Sequence, residues 1–208
     1  MRDAADPILV APNAFYPMSK PLSITKNDAL IVVDVQNDFL PGGALAVAEG
    51  DRVHGPLNEL MPRFSHVYAT RDWHPRNHKS FAANGGPWPF HCVQGTGGAE
   101  LSPKLNQRHV GTVISKGTDP ETEGYSAFDG TELEARLKKA GVTRVFVAGL
   151  ATDYCVKATA LDARKRHLPV VVVTDAIAAV KVKPEDESAA LRAMRTAGCT
   201  LVESSGIR

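Results

Sequence analysis

Cysteine is scarce in this chain of 208 residues: there are three, unevenly spaced and without a CxxC pair. So few thiols exclude a disulfide framework, and a reducing compartment would leave any reactive thiol free. An excess of one charge is also lacking, since 24 basic residues face 23 acidic ones for a net charge of +1. No basic field is therefore available to recruit nucleic acid or an anionic membrane. No apolar run approaches the roughly 20 residues that a membrane helix needs. The start MRDAADPILVAPNAFYPMSK has no basic cluster followed by an apolar stretch, so it does not read as a secretory signal. A cytoplasmic protein without nucleic-acid or membrane partners is expected. Clean periodicity is missing from residues 1–26, which hold four prolines. They are expected to form an N-terminal extension on or beside a single domain spanning residues 27–208.

What is present is an alternation of short apolar runs and helical patterns, in a chain that is 43% hydrophobic and 23% charged, as soluble globular proteins are. ALIVVDV at 29–35 is almost wholly apolar and β-branched, as a strand buried on both faces should be. Further strands are expected at 66–70, 109–115, 144–149, 169–174 and 199–202. Helices are expected at 51–64, 132–140, 153–167 and from Pro184 to about Ala197. Thr131 and Glu134 read as a capping box, and Thr152 as the N-cap of the helix that follows it. This alternation predicts an α/β, doubly wound, mostly parallel sheet of about six strands with helices on both faces. Residues 71–98, rich in Gly, Pro and His, interrupt the pattern; an ordered loop that long is usually functional.

Ligands of open parallel sheets bind beyond the carboxyl ends of the strands, and four successive strands deliver reactive side chains there. The first ends at Asp34 in VVDVQNDF, the second leads into Asp72 and His74 in TRDWHP, the third ends at Lys116 in ISKGTDP, and the fourth precedes Cys155 in AGLATDYC. In the first turn of a helix, Cys155 would gain thiolate character from free N–H groups and the helix dipole. Lys116 beside it would lower the thiol's pKa by charge. Asp34, in an otherwise apolar strand, suits a general base toward the thiol and an acid toward the leaving group. Asp72 and His74, two apart in an extended segment, can share one ion with His91. Two imidazoles and a carboxylate with open positions suit Zn²⁺ above all, and also Fe²⁺ or Mn²⁺. His78 reads as a loop brace outside this set, Cys92 and Cys199 as packing, and His54, His66, His109 and His167 as surface residues. Phe39, Trp88 and Tyr125 flank the reactive groups and could sandwich a flat substrate; Trp73 reads as packing.

Five ordered blocks carry a family resemblance: VDVQNDFLPGG (33–43), TRDWHPRNHKSF (70–81), WPFHCVQGTGGAE (88–100), KGTDPETEGYSAF (116–128) and VAGLATDYCV (147–156). The sequence resembles the nicotinamidases within the isochorismatase-like cysteine hydrolases. The resemblance implies that Asp34, Lys116 and Cys155 form a catalytic triad and that Asp72, His74 and His91 bind a divalent metal. It also implies a cis peptide between Leu150 and Ala151, with the N–H groups of Ala151 and Cys155 as an oxyanion hole and Leu150 at the substrate site. The expected reaction is hydrolysis of nicotinamide to nicotinate and ammonia through a thioester, in NAD salvage. The pyridine nitrogen would lie on the metal and the ring among Phe39, Trp88 and Tyr125. A homo-oligomer is compatible with this reading. The alternatives are a related cysteine amidase acting on a carbamoyl or ureido substrate, which would have no reason to carry the three metal ligands, and a metal-binding module without turnover. An isochorismatase proper is disfavoured, because that branch lacks a cysteine at the position of Cys155.

Overall fold

A computed structural model describes residues 21–208. Most of the expected N-terminal extension, residues 1–20, lies outside the described residues. At its end Leu22 runs parallel to Ile207, donating its N–H to Gly206 O at 2.8 Å.

Six strands form one sheet in which every pairing is parallel. They are β1 (Asp28–Val33), β2 (His66–Asp72), β3 (Thr112–Lys116), β4 (Arg144–Leu150), β5 (Val170–Ala178) and β6 (Thr200–Val202), in the order β3-β2-β1-β4-β5-β6. β1 is buried at all six positions and β4 at six of seven, which is what their near-continuous Val, Ile, Leu and Phe content requires. The helices are α1 (His54–Leu60), α2 (Leu133–Lys139), α3 (Lys157–Lys165) and α4 (Asp186–Thr196). Winding reverses between β1 and β4, and right-handed crossovers then place α1 on one face and α3 and α4 on the other. That reversal also opens a crevice at the carboxyl ends of β1 and β4. Among the described residues no helix is long and apolar enough to cross a membrane.

Local chemistry explains where the elements depart from the sequence pattern. The helix expected over 51–64 is composite, with 3₁₀ turns at Gly50–Val53 and Met61–Arg63 flanking α1. Pro56 sits in the first turn of α1, where its missing N–H costs no bond. The capping box is absent. Thr131 Oγ1 donates to Ala127 O at 2.5 Å and accepts from Leu133 N–H at 3.3 Å, while Glu134 pairs with Lys138 at 2.6 Å and Arg166 at 2.8 Å. β5 runs on to Ala178 instead of stopping at Thr174, because past a bulge Ile177 and Ala178 pair with Gly149 and Leu150 of β4. β3 begins only at Thr112, the residues Gln107–His109 forming a 3₁₀ turn. His54 is buried rather than on the surface, its ring bridging Asp51 O and Ser102 Oγ at 2.8 and 2.9 Å.

Gly149 allows β4 to lie close to β1 just before the turn that carries Cys155. Its φ is +112°, and a Cβ there would stand 2.1 Å from Val33 O. Any other residue would force the two central strands apart.

Candidate active site

β1, β2 and β3 and the turn after β4 bring Asp34, Asp72, Lys116 and Cys155 to one point of the crevice. Asp34 follows the last residue of β1 with φ +49°, a left-handed conformation that an aspartate tolerates at a cost of order 1–3 kcal/mol. Thr70 on β2 fixes the carboxylate: its hydroxyl donates to Asp34 Oδ1 at 2.7 Å. Lys116 is fully buried, and its ammonium donates to Asp72 Oδ1 at 2.5 Å, Gly124 O at 3.0 Å and Cys155 Sγ at 3.3 Å. Asp34 Oδ2 lies 2.8 Å from the same nitrogen, completing a fully buried ion pair. Lys116 acts on Asp34 by charge and by hydrogen bonding, and the Asp34 carboxylate is also a hydrogen-bond partner of the Cys155 thiol. Oxygens of Asp34 and Asp72 and the sulfur of Cys155 lie within 4.8 Å of one another.

The electrostatics correct one expectation. The Cys155 thiol lies well above, not below, its ordinary pKa: burial disfavours the thiolate, and Asp34 and Asp72 add to the rise against the opposing pull of Lys116. Burial likewise raises Asp34 against the lowering effect of Lys116. Lys116, despite a burial that would lower it, is held well above its ordinary value by Asp34 and Asp72. The resting site therefore keeps its proton on sulfur, beside a carboxylate able to receive it. Nor does Thr152 cap the helix. Ala151 occupies that position, Thr152–Val156 form a π-helical turn, and the Thr152 hydroxyl has no hydrogen-bond partner among the described residues. Cys155, 6% exposed, still lies within the first turn.

Asp72, His74 and His91 are all buried, and their donor atoms lie within 4.8 Å of one another. Their hydrogen bonds fit a metal. His74 Nδ1 donates to Gly117 O at 2.9 Å and His91 Nδ1 to Pro89 O at 2.8 Å. A carbonyl only accepts, so each Nδ1 carries the hydrogen and each Nε2 keeps its lone pair for an ion. Burial lowers His91 and keeps it neutral. Gly117, with φ +60°, makes room for this arrangement, since a Cβ would meet His74 Cε1 at 2.4 Å. His78 is held differently. Its Nδ1 lies 2.8 Å from Ser80 Oγ and 3.3 Å from Ser80 N, while its Nε2 meets no partner among the described residues. Burial and the neighbouring His74 depress it to about 4, so it is neutral as well. It stacks on His74, ring centroids 4.1 Å apart, and lies outside the donor group.

A narrow cavity of about 30 Å³ adjoins these groups, lined by Phe39, Trp88, Tyr125, Ala151, Cys155 and His91 among others. Leu150 was expected there but is fully buried and does not reach the cavity; its neighbour Ala151 does. The Leu150–Ala151 peptide is cis, and the Ala151 N–H meets no backbone carbonyl among the described residues. Sequence reasoning missed Leu45, Tyr154 and Val180, which complete the wall. Tyr154 packs edge-on to Trp88 at 5.1 Å, and its position next to Cys155 was the only available signal. Trp73 lies beneath the Arg71 guanidinium at 3.7 Å and does not line the cavity. Cys92 and Cys199 are buried and do not line it.

Comparison with known proteins agrees with this geometry. Residues 28–205 match the Isochorismatase domain. The nicotinamidase of Escherichia coli strain K12 is 41% identical over 198 residues, covering 83% of this chain and 93% of its own. Among solved structures, PnC1 from L. infantum in complex with nicotinate is 41% identical with a TM-score of 0.85, over 90% of this chain and 98% of that one. The pyrazinamidase of Pyrococcus horikoshii in complex with zinc is 50% identical with a TM-score of 0.79, over 85% and 99%. A family match across nearly all the described residues, with these relatives, shows that the chain belongs to the isochorismatase family.

Proposed function

We propose that this protein hydrolyses nicotinamide to nicotinate and ammonia through a thioester on Cys155. The observation that carries the reading is a buried thiol, held beside Lys116 and within reach of Asp34, that opens onto the same aromatic-walled cavity as two of the three metal donors, Asp72 and His91. The Escherichia coli nicotinamidase, PnC1 with nicotinate and the pyrazinamidase with zinc support the substrate and the class of metal. Zn²⁺ suits the two-imidazole, one-carboxylate donor set best. Asp72, His74 and His91 would hold the ion, which when bound supplies a positive anchor for the pyridine nitrogen. The cavity is narrow and apolar above Cys155, which fits one aromatic ring between Phe39 and Trp88.

Cys155 Sγ attacks the carboxamide carbon while its proton passes to Asp34 Oδ2, so thiolate forms only as the bond to carbon forms. The oxyanion is met by the N–H groups of Ala151 and Cys155. Asp34 returns the proton to nitrogen as the C–N bond breaks, and ammonia leaves. Water then attacks the thioester, giving its proton to Asp34 and, through it, back to sulfur. Lys116 stays charged throughout, holding Asp34 and Asp72 in place. Such an enzyme, fed by a free cytoplasmic amide, belongs to NAD salvage.

The test is ammonia release from nicotinamide by purified protein, suppressed by a chelator and restored by added zinc. Turnover of a carbamoyl amide in place of nicotinamide would transfer the assignment to that class, and metal binding without any turnover would reduce the protein to a binding module.

A further inference from the structure

Asp153 is a nearly buried carboxylate that the reaction does not use. It is 4% exposed, forms no ion pair among the described residues and does not line the substrate cavity. Both of its oxygens are nonetheless occupied. Oδ1 accepts the N–H of Val180 at 3.0 Å and Oδ2 the N–H of Lys181 at 2.9 Å. Consecutive N–H groups converging on one anion form a backbone nest, for which a left-handed residue is characteristic. Lys181 has that conformation, with φ +57°. For a lysine it is disfavoured, so the turn after β5 needs an outside hold.

The consequence lies in what each end of this bridge carries. Asp153 belongs to the turn Thr152–Val156, which also presents Tyr154 and Cys155 to the cavity, while Val180 closes the cavity from the β5 side. One side chain therefore ties the wall that bears the nucleophile to the wall that faces it. We infer that Asp153 is a positioning residue that sets the width of the substrate cavity by fixing Val180. This rests on the reading of the cavity as the nicotinamide site. A carboxylate is required because only an acceptor-only group satisfies both N–H groups; an asparagine turns an NH₂ toward one of them.

Steady-state kinetics of Asp153→Asn against the metal-loaded wild-type enzyme test it. A loosened apolar wall is worth about tenfold in substrate discrimination, so KM should rise about tenfold with kcat within about twofold. Val180→Ala should do the same. The double variant should be no worse than either single one, because both remove one contact. A fall in kcat at unchanged KM, or additive effects in the double variant, would overturn the inference. Should Asp153→Asn not fold, amide hydrogen exchange of the wild-type protein decides: the Val180 and Lys181 amides are expected to exchange as slowly as those of β5, and rapid exchange of both would overturn it. An inactive wild-type enzyme would instead defeat the nicotinamidase reading, and the exchange result would stand apart from it.

Discussion

Replacing Cys155 by alanine should lower kcat for nicotinamide by about 10⁴-fold or more, with metal content unchanged. The sulfur is the atom that bonds to carbon, and no other described thiol reaches the cavity, Cys92 and Cys199 being buried outside it. Folding should survive. The substitution removes one small buried group and leaves the ion pairs of Lys116 with Asp34 and Asp72 intact, a change worth about 1 kcal/mol. Ammonia release and elemental analysis on the same sample check both halves. Residual turnover near the wild-type rate would place the nucleophile elsewhere.

Replacing His91 by alanine should weaken metal binding by about 100-fold or more, since even groups that only orient a ligand contribute 10–100-fold. His78→Ala should leave occupancy nearly unchanged. The two histidines are both buried beside His74, so burial and proximity do not distinguish them. Their donor atoms do: His91 offers a ring nitrogen to the group formed with Asp72 and His74, its Nδ1 hydrogen held by Pro89 O, whereas His78 lies outside that group with Nδ1 turned to Ser80. Metal titration of the two variants after chelation reads the difference. Equal losses would show that the donor set is drawn wrongly.

The central strands were legible in the sequence because they are buried on both faces, which leaves almost no freedom in residue type at 29–33 or 145–150. The site residues Asp72, His74 and Lys116 were legible for a related reason: charged or ligating groups at or just beyond strand ends of a parallel sheet converge on one rim. Contacts between segments distant in sequence were not. Glu134 suits a capping box locally, but Arg166 and Lys138 compete for its carboxylate and win. Val180 and Leu45 enter the cavity wall only through tertiary packing, and nothing in their neighbourhoods marks them. The thiol is the most instructive case. A helix start and a nearby lysine argue for a low pKa, and burial beside two carboxylates reverses the sign. Charge at this site is set by how many groups are buried together, which no single stretch of sequence displays.

The account turns on covalent bonding between sulfur and the substrate's acyl carbon, and acid quenching during steady turnover, followed by peptide mass mapping, observes it directly. A nicotinoyl group is predicted on the peptide that contains Cys155 and on neither peptide containing Cys92 or Cys199. Steady ammonia release with the Cys155 peptide unmodified throughout would contradict it.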